Sequence, residues 1–168
     1  DFTNLSVWLA GRLRPLVAQG HSIILAGQSF GGMIALDYVA RSTQDANMAQ
    51  VSSLVIMNSS PAFGKIGGDF QSKFIAARLA PLKQGKTMRE VALGIVPGML
   101  GRRAPASCHD EAVEMMAAVP TATYEAAVPC VASFDRRSSL RSLSLPVLCI
   151  AGEDDKTAAP EVMRVMAG

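Results

Sequence analysis

A marked excess of charge of either sign is what this sequence lacks most clearly. Its 168 residues contain 16 Lys and Arg against 14 Asp and Glu, a formal net charge of +2, and charged residues make up only 18% of the chain. A nucleic-acid surface requires a concentration of basic residues, so this near-balance argues against a polyanionic partner. Hydrophobic residues reach 49%, which excludes a disordered chain and allows one sizeable core.

Long apolar runs are also missing. The longest stretch without a polar side chain, residues 91–101, is interrupted by glycine and proline and falls short of the ~18 residues that indicate a bilayer span. We therefore expect no membrane partner. The chain begins at Asp1-Phe2-Thr3 without Met, a basic stretch or an apolar signal segment, which predicts that a preceding segment was removed or that the chain is a fragment.

Cysteine is scarce, and its spacing forms no recognisable framework. Cys108, Cys130 and Cys149 are an odd number without a CxxC pair, and only His109 lies close to any of them in the sequence. A disulfide framework and a zinc site are therefore both disfavoured. We expect reduced thiols in a cytoplasmic protein, and no metal or organic cofactor.

The spacing of apolar residues predicts alternating helices and strands. Residues 3–19 and 33–40 carry helical periodicity. Short apolar runs without polar alternation are typical of parallel strands covered on both faces, and they occur at residues 22–27, 51–57 and 146–151. This order predicts an α/β fold, with a parallel central sheet and helices on both faces.

A long helical stretch separates the second and third predicted strands. Its helices are expected at residues 69–79, 87–96, 110–118 and 124–134. A connection between neighbouring parallel strands does not need this much chain, so an inserted helical cap is the economical explanation. The sequence therefore predicts residues 1–60 as the first part of the core, 61–142 as the cap and 143–168 as the second part of the core.

The segment Gly27-Gln28-Ser29-Phe30-Gly31-Gly32 lies between a predicted strand and a predicted helix. This is a G-x-S-x-G motif in the strand–turn–helix context of a nucleophile elbow, a tight turn that exposes a reactive serine. Glycine is expected on both flanks of Ser29 because a side chain there would collide with neighbouring backbone. Ser29 is the predicted nucleophile, and the Phe30 N–H, at the positive end of the following helix, is the predicted oxyanion donor. Ordinary loop chemistry is the alternative.

A second candidate segment, Gly152-Glu153-Asp154-Asp155, directly follows the last predicted strand. Groups just past the carboxyl ends of parallel strands converge on one crevice, so Asp155 and Ser29 are expected to share a site. A carboxylate there would hold an imidazole in the required tautomer. The alternatives are that Asp154 is the acid, or that these carboxylates belong to an exposed loop or a helix cap before Pro160.

These pieces resemble the α/β-hydrolase superfamily. Residues 25–33 resemble its elbow, 51–61 the next strand and its exit, and 145–155 the strand and turn that carry the acid. In such hydrolases the acid normally falls three residues after the glycine, which selects Asp155. Residues 124–126 and 134–140 are similar to the end of the cap in oxoadipate enol-lactonases and related carboxylesterases.

Two parts of the superfamily pattern are missing: earlier strands with an HG-type oxyanion loop, and a later strand and loop with the catalytic histidine. His21 cannot replace that base, because about six strand residues at ~3.3 Å each place it ~20 Å from Ser29. His109 falls in the predicted cap, where a loop or pocket-lining role is favoured over a catalytic one. We therefore expect that the base histidine is not in this chain and that these residues alone are inactive.

The resemblance implies a serine hydrolase of a carboxylic ester or lactone that passes through an acyl-enzyme on Ser29. Its expected partner is a small-molecule ester or lactone. The same elbow serves C–C bond hydrolases, cofactor-free perhydrolases and acyltransferases, which differ in cap and oxyanion loop. A non-catalytic ligand-binding protein on the same fold is the alternative of another class.

Overall fold

The computed structural model describes residues 1–64 and 69–167. The chain forms two compact units. The sheet unit comprises Asp1–Phe63, Phe134–Gly152 and Lys156–Gly168, and the helical unit comprises Gly64–Ser133 and Glu153–Asp155. Residues 65–68, which belong to the predicted cap, lie outside the described residues.

The sheet unit contains, within the described residues, a parallel three-stranded sheet. Its strands are β1 (Ile24–Gln28), β2 (Ser53–Met57) and β3 (Val147–Ile150), hydrogen-bonded in that order. The last residues of the strands pair with one another, Gln28 with Met57 and Met57 with Ile150. The three strands therefore end level, and the residues that follow them leave the sheet at the same edge. The predicted strands and their parallel order are confirmed.

The helices lie close to their predicted positions. In chain order they are α1 (Phe2–Ala18), α2 (Phe30–Ser42), α3 (Phe70–Lys83), α4 (Met88–Ile95), α5 (Ala106–Ala117), α6 (Thr121–Ala132) and α7 (Pro160–Ala167). The largest differences are at the end of α3, at Lys83 rather than residue 79, and at the start of α5, at Ala106 rather than residue 110. Helix α2 begins at Phe30 rather than at residue 33. The turn that precedes α2 is tighter than the apolar periodicity alone indicated.

The core of the sheet unit lies where α2 packs against β1 and β2. Leu36 and Tyr38 of α2 and Leu54 and Ile56 of β2 are almost fully buried. Burying a large apolar side chain of this kind stabilises a fold by about 1.5–3 kcal/mol. The Tyr38 hydroxyl donates to the carbonyl oxygen of Ala49 at 2.7 Å, so its polar atom has a partner inside the core.

The opposite face of the sheet, called here the open face, carries exposed apolar side chains. Ile24 is 67% exposed, Leu148 56% and Ile150 43%. Side chains alternate along a strand, and the register pairs Ala26 with Val55 and Val55 with Leu148. The three exposed side chains therefore share one face. The apolar runs predicted cover on both faces, whereas this face is exposed in the described part of the chain.

The helical unit has a small apolar core of its own, in which Ala92, Val96 and Val113 are almost fully buried. Helix α4 begins with a capping box: Thr87 Oγ1 accepts from the Glu90 N–H, and the Glu90 carboxylate accepts from the Thr87 N–H at 2.8 Å. Nowhere in residues 1–64 or 69–167 does a helix combine the length and apolar character that crossing a bilayer demands.

The sheet unit reaches further into the sequence than the boundaries predicted for the cap, residues 61–142. Ala62 and Asp135 form an isolated antiparallel bridge, and the Arg136 N–H donates to the carbonyl oxygen of Pro61 at 2.7 Å. These backbone bonds join the segment that leaves the sheet unit to the segment that returns to it. Both segments therefore belong to the sheet unit, and the helical unit begins only at Gly64 and reaches Ser133.

Candidate active site

Ser29 lies at the turn between β1 and α2, in a conformation that is rare for a residue with a side chain. Its backbone has φ 52° and ψ −120°, and a positive φ costs a non-glycine residue about 1–3 kcal/mol. Ser29 occupies the N-cap position of α2, yet its hydroxyl makes no capping hydrogen bond. The side chain is exposed. The turn therefore presents a serine hydroxyl to solvent at the carboxyl edge of the sheet.

Backbone hydrogen bonds hold Ser29 on both sides. Its N–H donates to the carbonyl oxygen of Met57 at 2.9 Å. Its carbonyl oxygen accepts from the N–H groups of Gly32 at 3.0 Å and Met33 at 3.2 Å. The same oxygen also accepts from the hydroxyl of Ser59 at 2.8 Å. These contacts offset the cost of the strained conformation.

The glycines around Ser29 are needed for different reasons. A Cβ on Gly27 would lie 2.3 Å from the carbonyl oxygen of Gly31, a separation that no side-chain movement can relieve. The expected collision on the other flank is wrong for Gly31, because a Cβ there would have no neighbour within 4 Å among the described residues outside its own helix. Gly32 is the crowded position instead, since its Cβ would lie 2.7 Å from the Cβ of Ser59.

Phe30, the predicted oxyanion donor, is the first residue of α2. The first N–H groups of an α-helix have no acceptor within the helix, and they lie at the positive end of its dipole. The Phe30 ring packs edge to face on Phe2, with 5.7 Å between ring centroids. This contact ties the start of α2 to the start of α1.

Helix α2 carries a buried carboxylate, Asp37, that binds side chains of the sheet unit. Asp37 is 1% exposed, and its Oδ2 accepts from the Ser6 hydroxyl and from Arg41 Nε, each at 2.6 Å. Arg136 binds the other carboxylate oxygen. Burial acts to raise the pKa of Asp37, but the hydrogen bonds from Arg41, Ser6 and Arg136 outweigh it and hold this pKa below its usual value.

Within the predicted acid segment, Glu153–Asp155 belong to the helical unit, whereas Gly152 belongs to the sheet unit. Asp154 binds Arg102 through both carboxylate oxygens, with 2.9 Å to the backbone N–H and 2.8 Å to Nε. Glu153 accepts from Arg103 at 2.9 Å. Asp155 is half-buried. Ser29 and Phe30 thus lie in the sheet unit and Asp155 lies in the helical unit.

The two histidines have separate surroundings. His21 is exposed and lies between α1 and β1, before the amino end of the strand whose carboxyl end leads to Ser29. His109 lies in α5 of the helical unit, where its Nδ1 is 3.1 Å from the carboxylate of Asp110. The sheet unit therefore places His21 at the opposite end of β1 from Ser29.

The described part of the chain contains neither a disulfide nor a cluster of side chains that could bind a metal ion. No disulfide joins Cys108, Cys130 and Cys149 there. Burial raises the pKa of the Cys149 thiol, which lies in β3. Among residues 1–64 and 69–167, no group of three or more His, Cys, Asp or Glu side chains is placed to hold a metal ion.

Sequence reasoning missed the residues that support Ser29 from neighbouring segments. Ser59, which follows β2, reaches the elbow through its hydroxyl, and Asn58, with φ 45°, directly precedes it. Asn tolerates positive φ better than most residues, so an Asn directly after an apolar strand was a readable signal. Asp37 was another signal, because it is a lone carboxylate within an apolar helical run.

The parallel sheet and the strained serine between β1 and α2 together define an α/β protein of hydrolase type. The sequence model of the alpha/beta hydrolase family matches residues 1–168, and the chain belongs to this family.

Solved structures agree with this fold. A hydrolase from Pseudomonas aeruginosa PA01 superimposes with a TM-score of 0.80 at 21% identity, covering 99% of this chain and 59% of its own. An esterase from Exiguobacterium antarcticum gives 0.81 at 19% identity, with coverages of 99% and 60%. The enol-lactonase from Burkholderia xenovorans LB400 gives 0.80 at 16% identity, with the same coverages.

These likenesses define the fold alone, because all three identities are low. The chain spans about 60% of the length of these structures. No curated protein sequence matches it.

Proposed function

We propose that this chain carries the nucleophile of a serine hydrolase that acts on a carboxylic ester or a lactone. The observation that supports this proposal is the conformation of Ser29: a positive φ, an exposed hydroxyl and no capping hydrogen bond. Backbone strain of this kind persists where surrounding contacts enforce it, and it clusters at active sites. A serine that served only as a helix cap would instead accept, through its side-chain oxygen, a hydrogen bond from an N–H of the first helical turn.

The proposed reaction has two steps. Ser29 Oγ attacks the carbonyl carbon while its proton passes to an imidazole, and the Phe30 N–H donates to the oxyanion. The C–O bond to the leaving oxygen then breaks, and that oxygen takes up the proton as an alcohol, which departs from an ester and stays attached to the acyl chain of a lactone. Water attacks the acyl-enzyme, gives its proton to the same imidazole, and releases the acid and a free Ser29 hydroxyl.

We propose Asp155 as the carboxylate that orients the imidazole. Asp155 lies three residues after Gly152, which is where the acid normally falls in hydrolases of this family. The imidazole itself is proposed to come from outside these residues, because His21 precedes the amino end of β1 and His109 lies in α5 of the helical unit.

The test uses protein expressed from the complete open reading frame. A fluorophosphonate probe is expected to label wild type and Ser52→Ala equally and to leave Ser29→Ala unlabelled. Turnover of nitrophenyl acetate and of dihydrocoumarin, an ester and a lactone, is expected to fall on the order of 10⁴-fold in Ser29→Ala, with little change in thermal unfolding. Retained turnover in that variant would remove Ser29 from the mechanism.

The same measurements separate the alternative functions. Labelling of Ser29 without turnover of either substrate would indicate an acyltransferase or a C–C bond hydrolase on this elbow. Tight ligand binding without labelling would indicate a non-catalytic binding protein.

A further inference from the structure

Two serine hydroxyls flank β2, and each binds the backbone at one end of β1. Ser52 Oγ donates to the carbonyl oxygen of Ile23 at 2.8 Å, just before β1. Ser59 Oγ donates to the carbonyl oxygen of Ser29 at 2.8 Å, just after β1. The bonds have the same length and the same chemistry, but Ser52 is exposed whereas Ser59 is 3% exposed.

The residue before Ser59 explains how its hydroxyl reaches the elbow. Asn58 has φ 45°, and its N–H donates to the carbonyl oxygen of Ile150 at 2.8 Å. Because Gln28 and Met57 pair at the ends of their strands, Ser29 and Asn58 occupy equivalent positions after β1 and β2. Two residues with positive φ therefore lie side by side, and the second turns the chain toward the first.

We propose that Ser59 is a positioning residue for Ser29, an inference that rests on the function proposed above. The Ser59 hydroxyl holds the Ser29 carbonyl oxygen, while Met57 holds the Ser29 N–H. Rotating Ser29 toward an unstrained conformation would move one or both of these groups away from their partners. The bond from Ser59 thereby keeps the Ser29 side chain in its exposed orientation.

Packing adds a second constraint. The Ser59 Oγ lies 2.8 Å from the place where a Cβ on Gly32 would stand. Ser59 therefore fills the space that a side chain at residue 32 would need, and it fits against the first turn of α2. The N–H groups of Gly32 and Met33 donate to the same Ser29 oxygen that Ser59 binds. The Ser59 side chain therefore constrains the turn both by its hydrogen bond and by its packing.

This arrangement predicts which kinetic constant depends on Ser59. Its side chain is buried and bonded to backbone, so it is not a group that contacts substrate. Loss of its hydroxyl would leave substrate binding intact and misplace the Ser29 nucleophile, and misplacement of a reacting group lowers the rate of the chemical step. The expected change is in kcat, with KM preserved.

The experiment compares Ser59→Ala with Ser52→Ala, which removes a serine-to-carbonyl hydrogen bond of the same length from the other end of β1. In the complete protein, Ser59→Ala is expected to lower kcat roughly tenfold, as the loss of one buried hydrogen bond can do, and to change KM less than twofold. Ser52→Ala is expected to leave both constants unchanged. Amide hydrogen exchange by NMR is expected to speed up about tenfold at Gly32 and Met33 in Ser59→Ala, relative to the amides of α1.

The outcomes separate this inference from the proposed function. Loss of activity in Ser29→Ala, together with a normal kcat and normal local exchange in Ser59→Ala, would overturn the inference and leave the hydrolase intact. Uniformly faster exchange across the sheet unit would show a merely structural Ser59 and would also overturn it. If wild type turns over no ester or lactone, the exchange of Gly32 and Met33 alone decides whether Ser59 holds the Ser29 backbone.

Discussion

Arg136 binds one oxygen of Asp37 with two of its guanidinium nitrogens, Nε at 2.6 Å and Nη2, across 99 residues of sequence. Asp37 lies on α2, the helix that follows Ser29, and Arg136 lies where the chain has just returned to the sheet unit. A single buried carboxylate therefore ties the elbow helix to a distant segment of the chain.

This carboxylate makes stability depend on pH in a known direction. Because the pKa of Asp37 is lowered in the folded state, its contribution is complete above the unfolded pKa of about 3.9. That contribution is lost as pH falls through the lower folded pKa. Urea unfolding between about pH 6 and pH 2 should show wild type losing stability as pH falls below about 4, with a flatter profile for Asp37→Asn.

At pH 7, Asp37→Asn is expected to cost about 3 kcal/mol, because Arg41 and Arg136 lose their charged partner. Both arginines are only partly exposed, with side chains 32% and 29% accessible. Parallel pH profiles for the two proteins would show that Asp37 is not the group responsible for the acid sensitivity.

The acid assignment predicts a ranking of two neighbouring variants. Asp155→Asn should lose far more activity than Asp154→Asn in the complete protein, because only the orienting carboxylate holds the imidazole tautomer. Asp154→Asn removes an ion pair with the exposed Arg102, which costs at most about 1 kcal/mol. Steady-state kinetics beside thermal melts measures both effects, and the reverse ranking in activity would move the acid to Asp154.

The glycines of the elbow should respond unequally to alanine. Gly27→Ala is expected to cost about 3 kcal/mol or more, because its Cβ would meet backbone. Gly31→Ala should leave the free energy of unfolding unchanged or raise it by up to about 1 kcal/mol, because residue 31 lies in a helix and has open space for a Cβ. Chemical denaturation of the two variants checks this, and an equal loss in both would contradict the turn geometry.

Gly32 and Ser59 should be energetically coupled. Gly32→Ala is expected to destabilise the fold, and to do so less in a Ser59→Gly background, where the clashing side chain is gone. A double-mutant cycle should give a coupling of about 0.5–3 kcal/mol. Additive free energies of unfolding would show that Ser59 is not what crowds residue 32.

The open face should control the solution behaviour of the 168-residue chain. We expect self-association and binding of a hydrophobic fluorescent dye, because Ile24, Leu148 and Ile150 are exposed. Leu148→Thr should reduce both without loss of stability, because Thr suits a strand. Leu54→Thr, on the buried face, should unfold more easily instead. Sedimentation and dye fluorescence measure the contrast, and a monomeric wild type that binds no dye would contradict it.

The sequence predicted the features that depend on residues close together along the chain. The apolar runs located the strands, and the G-x-S-x-G spacing located Ser29, because a strand, a tight turn and a helix are all encoded locally. Gly31 was given a steric role that belongs to Gly32, because the crowding comes from Ser59 on another strand. The bond between Asp37 and Arg136 was missed for the same reason, since no local pattern pairs residues so far apart.

The two crowded glycines differ in what evolution can change around them. Gly27 faces the backbone of Gly31, and no substitution elsewhere removes a main-chain carbonyl. Gly32 faces the side chain of Ser59, which a single codon change can shrink. A side chain at residue 32 is therefore expected to depend on a smaller residue at position 59, whereas no side-chain change at another position makes room for one at residue 27.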